Sequence, residues 1–192
     1  MASHRREHLL DTALSLFRTD GFHATGIDKI LATAGVAKMT LYNHFRSKDE
    51  LILAALRRRD ESFRNSFMRD VERRATKPRG RLLALFDALG HWLASDGVAG
   101  CMFINAAAEY GDCDHPIHVV AAEHKRLLTG YVRDLAAAAG AIDADRLARQ
   151  LYILIEGATV ATQVCSRTDA ARDARDAAEL LVSAALDRPP SV

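Results

Sequence analysis

The stretch TGIDKILATAGVAKMTLYNHFRSKDEL, residues 25–51, decides the fold prediction for this chain. Its first half has apolar side chains at helical spacing until Gly35 interrupts the pattern. A second short helix follows from about Lys38 to Phe45, with Leu41 and Phe45 four residues apart on one face. Two short helices separated by a tight turn predict a helix-turn-helix.

The second helix of this motif carries a mixture of outward-facing side chains. Lys38, Met39, Tyr42 and Asn43 combine a cation, a thioether, a phenol and an amide. Such a face suits the major groove of DNA, where phosphates accept hydrogen bonds and base edges are read by amides and apolar groups. A helical hairpin with a solvated face has the same spacing, and the spacing alone favours neither interpretation.

The sequence on both sides of the motif has the periodicity of helices and no alternation typical of strands. We therefore predict an all-α fold of about nine helices. Their expected ranges are about residues 5–20, 25–34, 38–45, 48–75, 79–94, 101–110, 114–139, 143–165 and 169–187. Thr25–Asp28 and Ser47–Glu50 each have the form of a capping box, and Asp114 is placed to cap the seventh helix.

The composition favours a folded cytoplasmic protein. The 192 residues are 49% hydrophobic and 27% charged, which permits both a core and a solvated surface. No apolar run reaches the roughly 18–20 residues of a membrane span, and residues 1–8 do not lead into the apolar segment of a signal peptide. The net charge of +1 does not by itself indicate a nucleic-acid partner.

Several motifs between residues 8 and 55 together resemble the DNA-binding signature of the tetracycline-repressor (TetR/AcrR) family. The motifs are Ala24-Thr25-Gly26-Ile27, Ala34-Gly35-Val36, Lys38-Met39-Thr40-Leu41-Tyr42-Asn43-His44-Phe45 and Ser47-Lys48-Asp49-Glu50-Leu51. The chain departs from the family at Ala37, where serine is usual, and at Met39, where a small residue is frequent. Loss of the serine hydroxyl removes a cap from the recognition helix, and Met39 implies altered base reading.

This resemblance implies two domains and a set of DNA contacts. A three-helix, helix-turn-helix DNA-binding domain would span residues 1–47, and a larger helical ligand-binding and dimerisation domain would span residues 48–192, with the helix at about 48–75 as connector. The residues implied in DNA binding are Thr25, Thr40, Tyr42, His44 and Lys48 at phosphates, and Lys38, Met39 and Asn43 nearer the bases.

The family also implies a small-molecule effector bound by the C-terminal domain. The candidate effector-binding residues are Trp92, Phe103, Asn105, Glu109, His124, Tyr131, Tyr152, Glu156 and Thr159. Two interpretations compete for them. Trp92, Phe103 and Tyr131 fit a plain core more readily than a binding site, and Glu109 or Glu156 could pair internally with an arginine or with His124.

Other chemistries have weaker support in the sequence. The acidic and histidine-rich stretch 109–124 matches no standard metal site, so we expect neither a metal nor a cofactor. Cys101 at a helix start could sense oxidants, but we expect Cys101, Cys113 and Cys165 to be unreactive core residues. A cysteine–histidine nucleophile pair would make the chain an enzyme, and a helical adaptor is a third class; no catalytic motif supports the enzyme.

Taken with the resemblance, these observations predict a ligand-responsive transcriptional regulator and not an enzyme. We expect a repressor that binds a palindromic operator as a homodimer and is released by a small-molecule inducer. Dimerisation is expected through the last two helices, about 143–165 and 169–187, which carry apolar stripes containing small alanines. A redox- or metal-responsive regulator of the same fold is the main alternative.

Overall fold

The structure is a computed structural model that describes residues 2–95 and 100–186. Within these ranges it contains nine α-helices and no strand, which confirms the predicted all-α fold. The helices are α1 (Ala2–Asp20), α2 (Ile27–Ala34), α3 (Lys38–Tyr42), α4 (Lys48–Arg74), α5 (Pro78–Ala94), α6 (Met102–Glu109), α7 (Pro116–Ala138), α8 (Ala144–Cys165) and α9 (Ala170–Leu186). The predicted end of the last helix at Asp187 lies outside the described residues.

The chain folds into two compact units. Unit 1 comprises Met1–Ser62 and Cys101–His124, and unit 2 comprises Phe63–Gly100 and Lys125–Val192. Helices α4 and α7 therefore each contribute residues to both units. The domain boundary between residues 47 and 48 stays a prediction, since compactness describes packing and not independent folding.

Unit 1 is built around the predicted apolar faces of α1 to α4. Leu41 and Phe45, predicted to face inward, are buried. Large side chains from residues 1–62 that are also buried in this unit include Leu9, Leu10, Phe17, Phe22, Ile30, Leu31, Leu51, Ile52 and Leu56. Arg58 of α4 forms ion pairs with Glu7 and Asp11 of α1, and these ion pairs join the two helices at the edge of this core.

The start of α2 differs from its prediction. The helix begins at Ile27, and Gly26 occupies the cap position with no side-chain cap. Thr25 is buried, and its hydroxyl donates to the carbonyl of Gly21 at 2.7 Å. The predicted capping box at Thr25–Asp28 is therefore wrong, because the helix begins one residue later than such a box requires and Thr25 lies before the cap position.

The start of α4 agrees with its prediction. The Ser47 hydroxyl accepts a hydrogen bond from the backbone N–H of Glu50 at 3.1 Å, as in a capping box. The Glu50 carboxylate accepts from the N–H of Arg46 at 2.7 Å, one residue before the cap. Both ends of this short turn are thereby fixed by side chains.

The caps of α7 and α8 give one correction and one confirmation. Helix α7 begins at Pro116, so the residue before it is His115, whose ring Nδ1 accepts from the N–H of Ile117 at 3.3 Å. Asp114 was predicted as this cap, which is wrong by one residue because proline takes the first helical position. Asp143, where the eighth helix is predicted to begin, caps α8 by accepting from the N–H of Arg146 at 2.8 Å.

Unit 2 has its own core, contributed by α5, α8, α9 and the adjoining parts of α4 and α7. Small alanines line the contact between α5 and α9, and Ala171 of α9 lies 3.4 Å from the position that a Cβ would take on Gly90. The apolar stripe of α8 that includes Leu147, Leu151 and Ala158 is buried in this core. That stripe was predicted to face a partner subunit, which is wrong, because the unit's own helices cover it.

Candidate nucleic-acid interface and effector-binding residues

Helix α3 is shorter than predicted but presents the predicted face. It spans Lys38–Tyr42, and Ala37 at its cap position makes no side-chain cap. Asn43 follows in helical conformation, and the N–H of Phe45 donates to the carbonyl of Leu41 at 2.9 Å, which continues the turn. The residues predicted near bases therefore remain on one helical surface.

Burial divides α3 into an inner and an outer face. Leu41 is fully buried, whereas the side chain of Met39 is 70% exposed and that of Tyr42 is 42% exposed. Lys38 and Asn43 are also exposed. Large apolar and aromatic side chains held in water next to a cation and an amide match the needs of base and phosphate contact.

The residues predicted at phosphates differ in their surroundings. Thr40 and His44 are half-buried. Lys48 opens α4, and its ammonium donates to the backbone carbonyl of His23 at 3.2 Å. The buried hydroxyl of Thr25 already donates to Gly21, so a side-chain contact with phosphate requires that hydrogen bond to break. Contact between any of these residues and DNA stays a prediction.

An arginine that sequence reasoning missed lies beside this surface. The guanidinium carbon of Arg6 in α1 lies 5.1 Å from the centroid of the Phe45 ring, a cation–π distance. The two residues are far apart in sequence, and no local pattern links them. Only the packing of α1 against the end of the motif brings Arg6 to this place.

The effector candidates are divided between the two units. Phe103, Asn105, Glu109 and His124 belong to unit 1, and the other five belong to unit 2. In unit 1, His124 is buried, and its ring stacks on that of Phe103 with centroids 3.7 Å apart. Its Nδ1 lies 2.7 Å from a carboxylate oxygen of Asp60, so this nitrogen donates within the protein.

Glu109 is held by the turn between α1 and α2. Its Oε1 accepts from the N–H of Phe22 at 2.9 Å, and its Oε2 accepts from the N–H and the ring Nδ1 of His23 at 2.6 and 2.9 Å. Burial acts to raise the pKa of the Glu109 carboxyl, but these donors outweigh it and leave the pKa below its ordinary value. The sequence predicts that Glu109 could pair internally, and it does, but the predicted partner, an arginine or His124, is wrong.

In unit 2, Glu156 and Thr159 are also used internally. Both Glu156 oxygens accept from the Lys125 ammonium, at 2.8 and 2.7 Å. Thr159 is buried, and its hydroxyl donates to the carbonyl of Ile155 at 2.8 Å. Tyr152 lies partly buried against the core of this unit. A tertiary partner on α7 accounts for Glu156, and a carbonyl one turn earlier in α8 accounts for Thr159.

Trp92 and Tyr131 behave differently. Within the described residues, the indole Nε1 of Trp92 and the hydroxyl of Tyr131 are buried without a hydrogen-bond partner. The Trp92 ring meets Phe63 edge-on with centroids 5.2 Å apart, so its plane is fixed by packing. Burial, with the charge of Glu72 adding to it, raises the pKa of Tyr131. A buried donor without a partner costs free energy, which makes these two donors candidates for contact with a bound molecule.

The three cysteines differ in their exposure. Cys101 is buried, but Cys113 and Cys165 are exposed. The expectation that all three lie in the core is therefore wrong for two of them, because both fall at or beyond helix ends. Among the described residues, no three histidine, cysteine, aspartate or glutamate side chains are grouped so as to hold a metal ion.

Across residues 2–95 and 100–186, no helix combines the length and apolar character that a membrane span requires.

Helices α2 and α3, joined by a short turn and with an exposed outer face on α3, are the arrangement typical of helix-turn-helix regulators. Residues 9–55 match the family model of bacterial regulatory proteins of the tetR family, and residues 78–178 match that of the tetracyclin repressor-like C-terminal domain. The chain belongs to the TetR family, and as a member it is a ligand-responsive, DNA-binding transcriptional regulator.

Similar proteins agree with this assignment. The crystal structure of SCO4454, a TetR-family transcriptional regulator from Streptomyces coelicolor, is 32% identical, with a TM-score of 0.88 over 95% of this chain and 96% of that chain. FasR of Mycolicibacterium smegmatis, a transcriptional activator, is 41% identical over 48% of this chain and 42% of its own length. NemR of Escherichia coli, a transcriptional repressor, is 31% identical over 56% of this chain and 54% of its own. The chain thus spans about half the length of these two regulators.

Proposed function

We propose that this chain is a repressor that binds a palindromic operator as a homodimer and is released by a small-molecule inducer. The observation that carries the proposal is the outer face of α3, where Met39 and Asn43 are exposed directly beside buried Leu41. Two copies of this helix, about 34–36 Å apart, would enter successive major grooves.

The DNA contacts follow the chemistry of each side chain. Lys38, Met39 and Asn43 would face base edges, where the amide of Asn43 suits adenine and the methyl of Met39 suits thymine. Lys48, Thr40, Tyr42, His44 and the turn at Thr25 would contact phosphates. The N-terminus of α4 adds a favourable dipole for an anion beside Lys48.

A second apolar face of α8 supports the dimer. Ile153, Val160 and Val164 recur at helical spacing, and the side chains of Ile153 and Val164 are 69% and 73% exposed. On α9, Leu180 is 74% exposed. Apolar residues in water on two long helices fit a four-helix interface between two copies of the chain. On α8 this face differs from the stripe that the sequence had assigned to the partner, whereas Leu180 on α9 belongs to the assigned stripe.

The inducer would bind in the C-terminal part of the chain. The buried donors of Trp92 and Tyr131 favour a molecule with hydrogen-bond acceptors on an otherwise apolar body. To act as an inducer, the molecule must bind more tightly to the state that does not bind DNA. A shift of the long helix α4 would then change the spacing of the two recognition helices.

Footprinting on the DNA that flanks the chain's own gene, with and without candidate effectors, tests this proposal. A protected palindrome that is lost on addition of an effector supports the repressor; an affinity unchanged at saturating effector contradicts the mechanism. A promoter–reporter assay separates repression from activation, which matters because FasR is named an activator. Light scattering at micromolar concentration, with Ile153→Asp as the disrupting variant, tests the dimer.

A further inference from the structure

The turn that joins α1 to α2 is built as an anion-binding site for one side chain of the same unit. Gly21 has a φ of +86°, in the left-handed region, and the N–H groups of Phe22 and His23 that follow point to the same carboxylate. Successive N–H groups after such a residue form a nest that binds an anion. A Cβ on Gly21 would lie 2.9 Å from Oε1 of Glu109, so the carboxylate fills the nest closely.

His23 extends this contact in two directions. Its ring donates from Nδ1 to Glu109 and stacks on Tyr110, with ring centroids 4.7 Å apart. Tyr110 in turn stacks on His115 at 4.7 Å, which ties the start of α7 to the same cluster. Burial, followed by the charges of Asp49 and Glu109, raises the pKa of Tyr110 to about 12, so its hydroxyl is neutral in this stack.

The backbone of His23 reaches the start of α4. Its carbonyl accepts a hydrogen bond from the Lys48 ammonium at 3.2 Å. An ammonium has three hydrogens, so this bond orients Lys48 and leaves two donors for another acceptor. The position of the carbonyl depends on the turn, and the turn is held by Glu109. One continuous set of hydrogen bonds therefore runs from the end of α6 to the first residue of α4.

We propose that Glu109 is a positioning residue of the DNA-binding surface: through the turn at His23, its carboxylate holds the Lys48 ammonium where it meets a phosphate. The proposal rests on the proposed contact of Lys48 with DNA. It assigns Glu109 a role other than effector binding. It also gives α6 a direct means of control, since any movement that withdraws Glu109 from the nest frees the turn and Lys48 with it.

The test measures DNA binding of the full-length protein at several salt concentrations, on a cognate and a scrambled duplex. Glu109→Gln keeps the shape of the side chain and removes its charge. One of the two oxygens that accept from the N–H groups of the turn is replaced by an NH₂ group, which donates. We expect it to weaken binding to both duplexes alike, about three- to tenfold, and to reduce the salt slope by about one unit per subunit. In a Lys48→Ala background the same change should have less than a twofold further effect.

Glu7→Gln is the matched control. It makes the same change of charge in the same unit and removes the ion pairs with Arg58 and Arg6, but it does not touch the turn. We expect it to leave the salt slope unchanged, and thermal unfolding of both variants confirms that each is folded at the assay temperature. If Glu109→Gln does not fold, hydrogen exchange in the unaltered protein decides: slow exchange at Phe22 and His23 supports the proposal, and fast exchange at both overturns it.

Each remaining outcome is decisive. Equal effects of Glu109→Gln and Glu7→Gln, an unchanged salt slope, or a full additional loss in the Lys48→Ala background would overturn the positioning role. A Lys48→Ala variant that binds DNA like the unaltered protein would overturn the phosphate contact itself, and the positioning role with it. The two failures are thus distinguished by the Lys48→Ala variant alone.

Discussion

Helix α3 and the predicted effector residues use their polar groups in opposite ways. On α3, Lys38 and Asn43 are exposed on a helix face whose inner side is fully buried. Glu109, His124 and Glu156 instead each bond to a residue at least 31 positions away in the sequence. The contrast teaches that the polar side chains of a short surface helix stay exposed, whereas a polar residue in an apolar helix is commonly satisfied by a distant part of its own chain.

The largest expected effect is on stability, and it tests whether the inner face of α3 packs into the core and so holds the outer face in place. Leu41→Ala removes a fully buried side chain from the core of unit 1. We expect the free energy of unfolding to fall by about 2–5 kcal/mol, since the cavity adds to the lost burial. Urea denaturation followed by circular dichroism measures it. A loss below about 0.5 kcal/mol would mean that the inner face is not part of a packed core.

Asn43→Ala tests the outer face. Because the side chain is exposed, the stability should not change. Discrimination between cognate and scrambled duplexes should fall by roughly 1–3 kcal/mol if the amide reads a base edge. Titration of both duplexes by fluorescence anisotropy measures this, with Asn65→Ala in the exposed part of α4 as a control outside the motif. An equal loss on both duplexes would show that Asn43 positions the protein and does not read the sequence.

This contrast also explains how much the sequence could predict. The order of the helices, the cap at Ser47 and the two faces of α3 depend on residues within a few positions of each other, so local patterns were sufficient. The bonds of Glu109 to His23 and of Arg58 to Glu7 join residues 86 and 51 positions apart, and no spacing rule reaches them. The prediction of the dimer stripe on α8 was wrong for a related reason. The helix is apolar on two faces, and periodicity does not show which of them is covered by other helices of the same chain.

Tyr131→Phe tests the comparison in unit 2, where Glu156 is paired with Lys125 but the hydroxyl of Tyr131 has no hydrogen-bond partner within the described residues. The buried hydroxyl has no hydrogen-bond partner within the described residues, so its removal should leave stability unchanged or raise it by about 1 kcal/mol. The response of DNA binding to effector should weaken if that hydroxyl donates to the bound molecule. Thermal unfolding and effector titration measure the two effects. A loss of stability above about 1 kcal/mol would indicate that the hydroxyl already has a partner in solution.

The smallest effect concerns the charge of Glu109. The pKa of this carboxyl is lower in the folded chain than its unfolded value of about 4.3. Burial acts to raise the pKa, but the hydrogen bonds from the N–H groups of His23 and Phe22 outweigh burial. A lowered pKa contributes stability that is fully present above the unfolded pKa and is lost as the pH falls through the folded one. Glu109→Gln cannot titrate, so the difference in unfolding free energy between the two proteins should be constant from pH 7 to about pH 5.5 and shrink on further acidification. Denaturation of both proteins between pH 7 and pH 3 measures that difference, in which the titrating groups that do not contact Glu109 cancel. A difference that stays constant to pH 3 would mean that the nest holds the protonated carboxyl as well as the carboxylate, and that the contact at the α1–α2 turn depends on shape and not on charge.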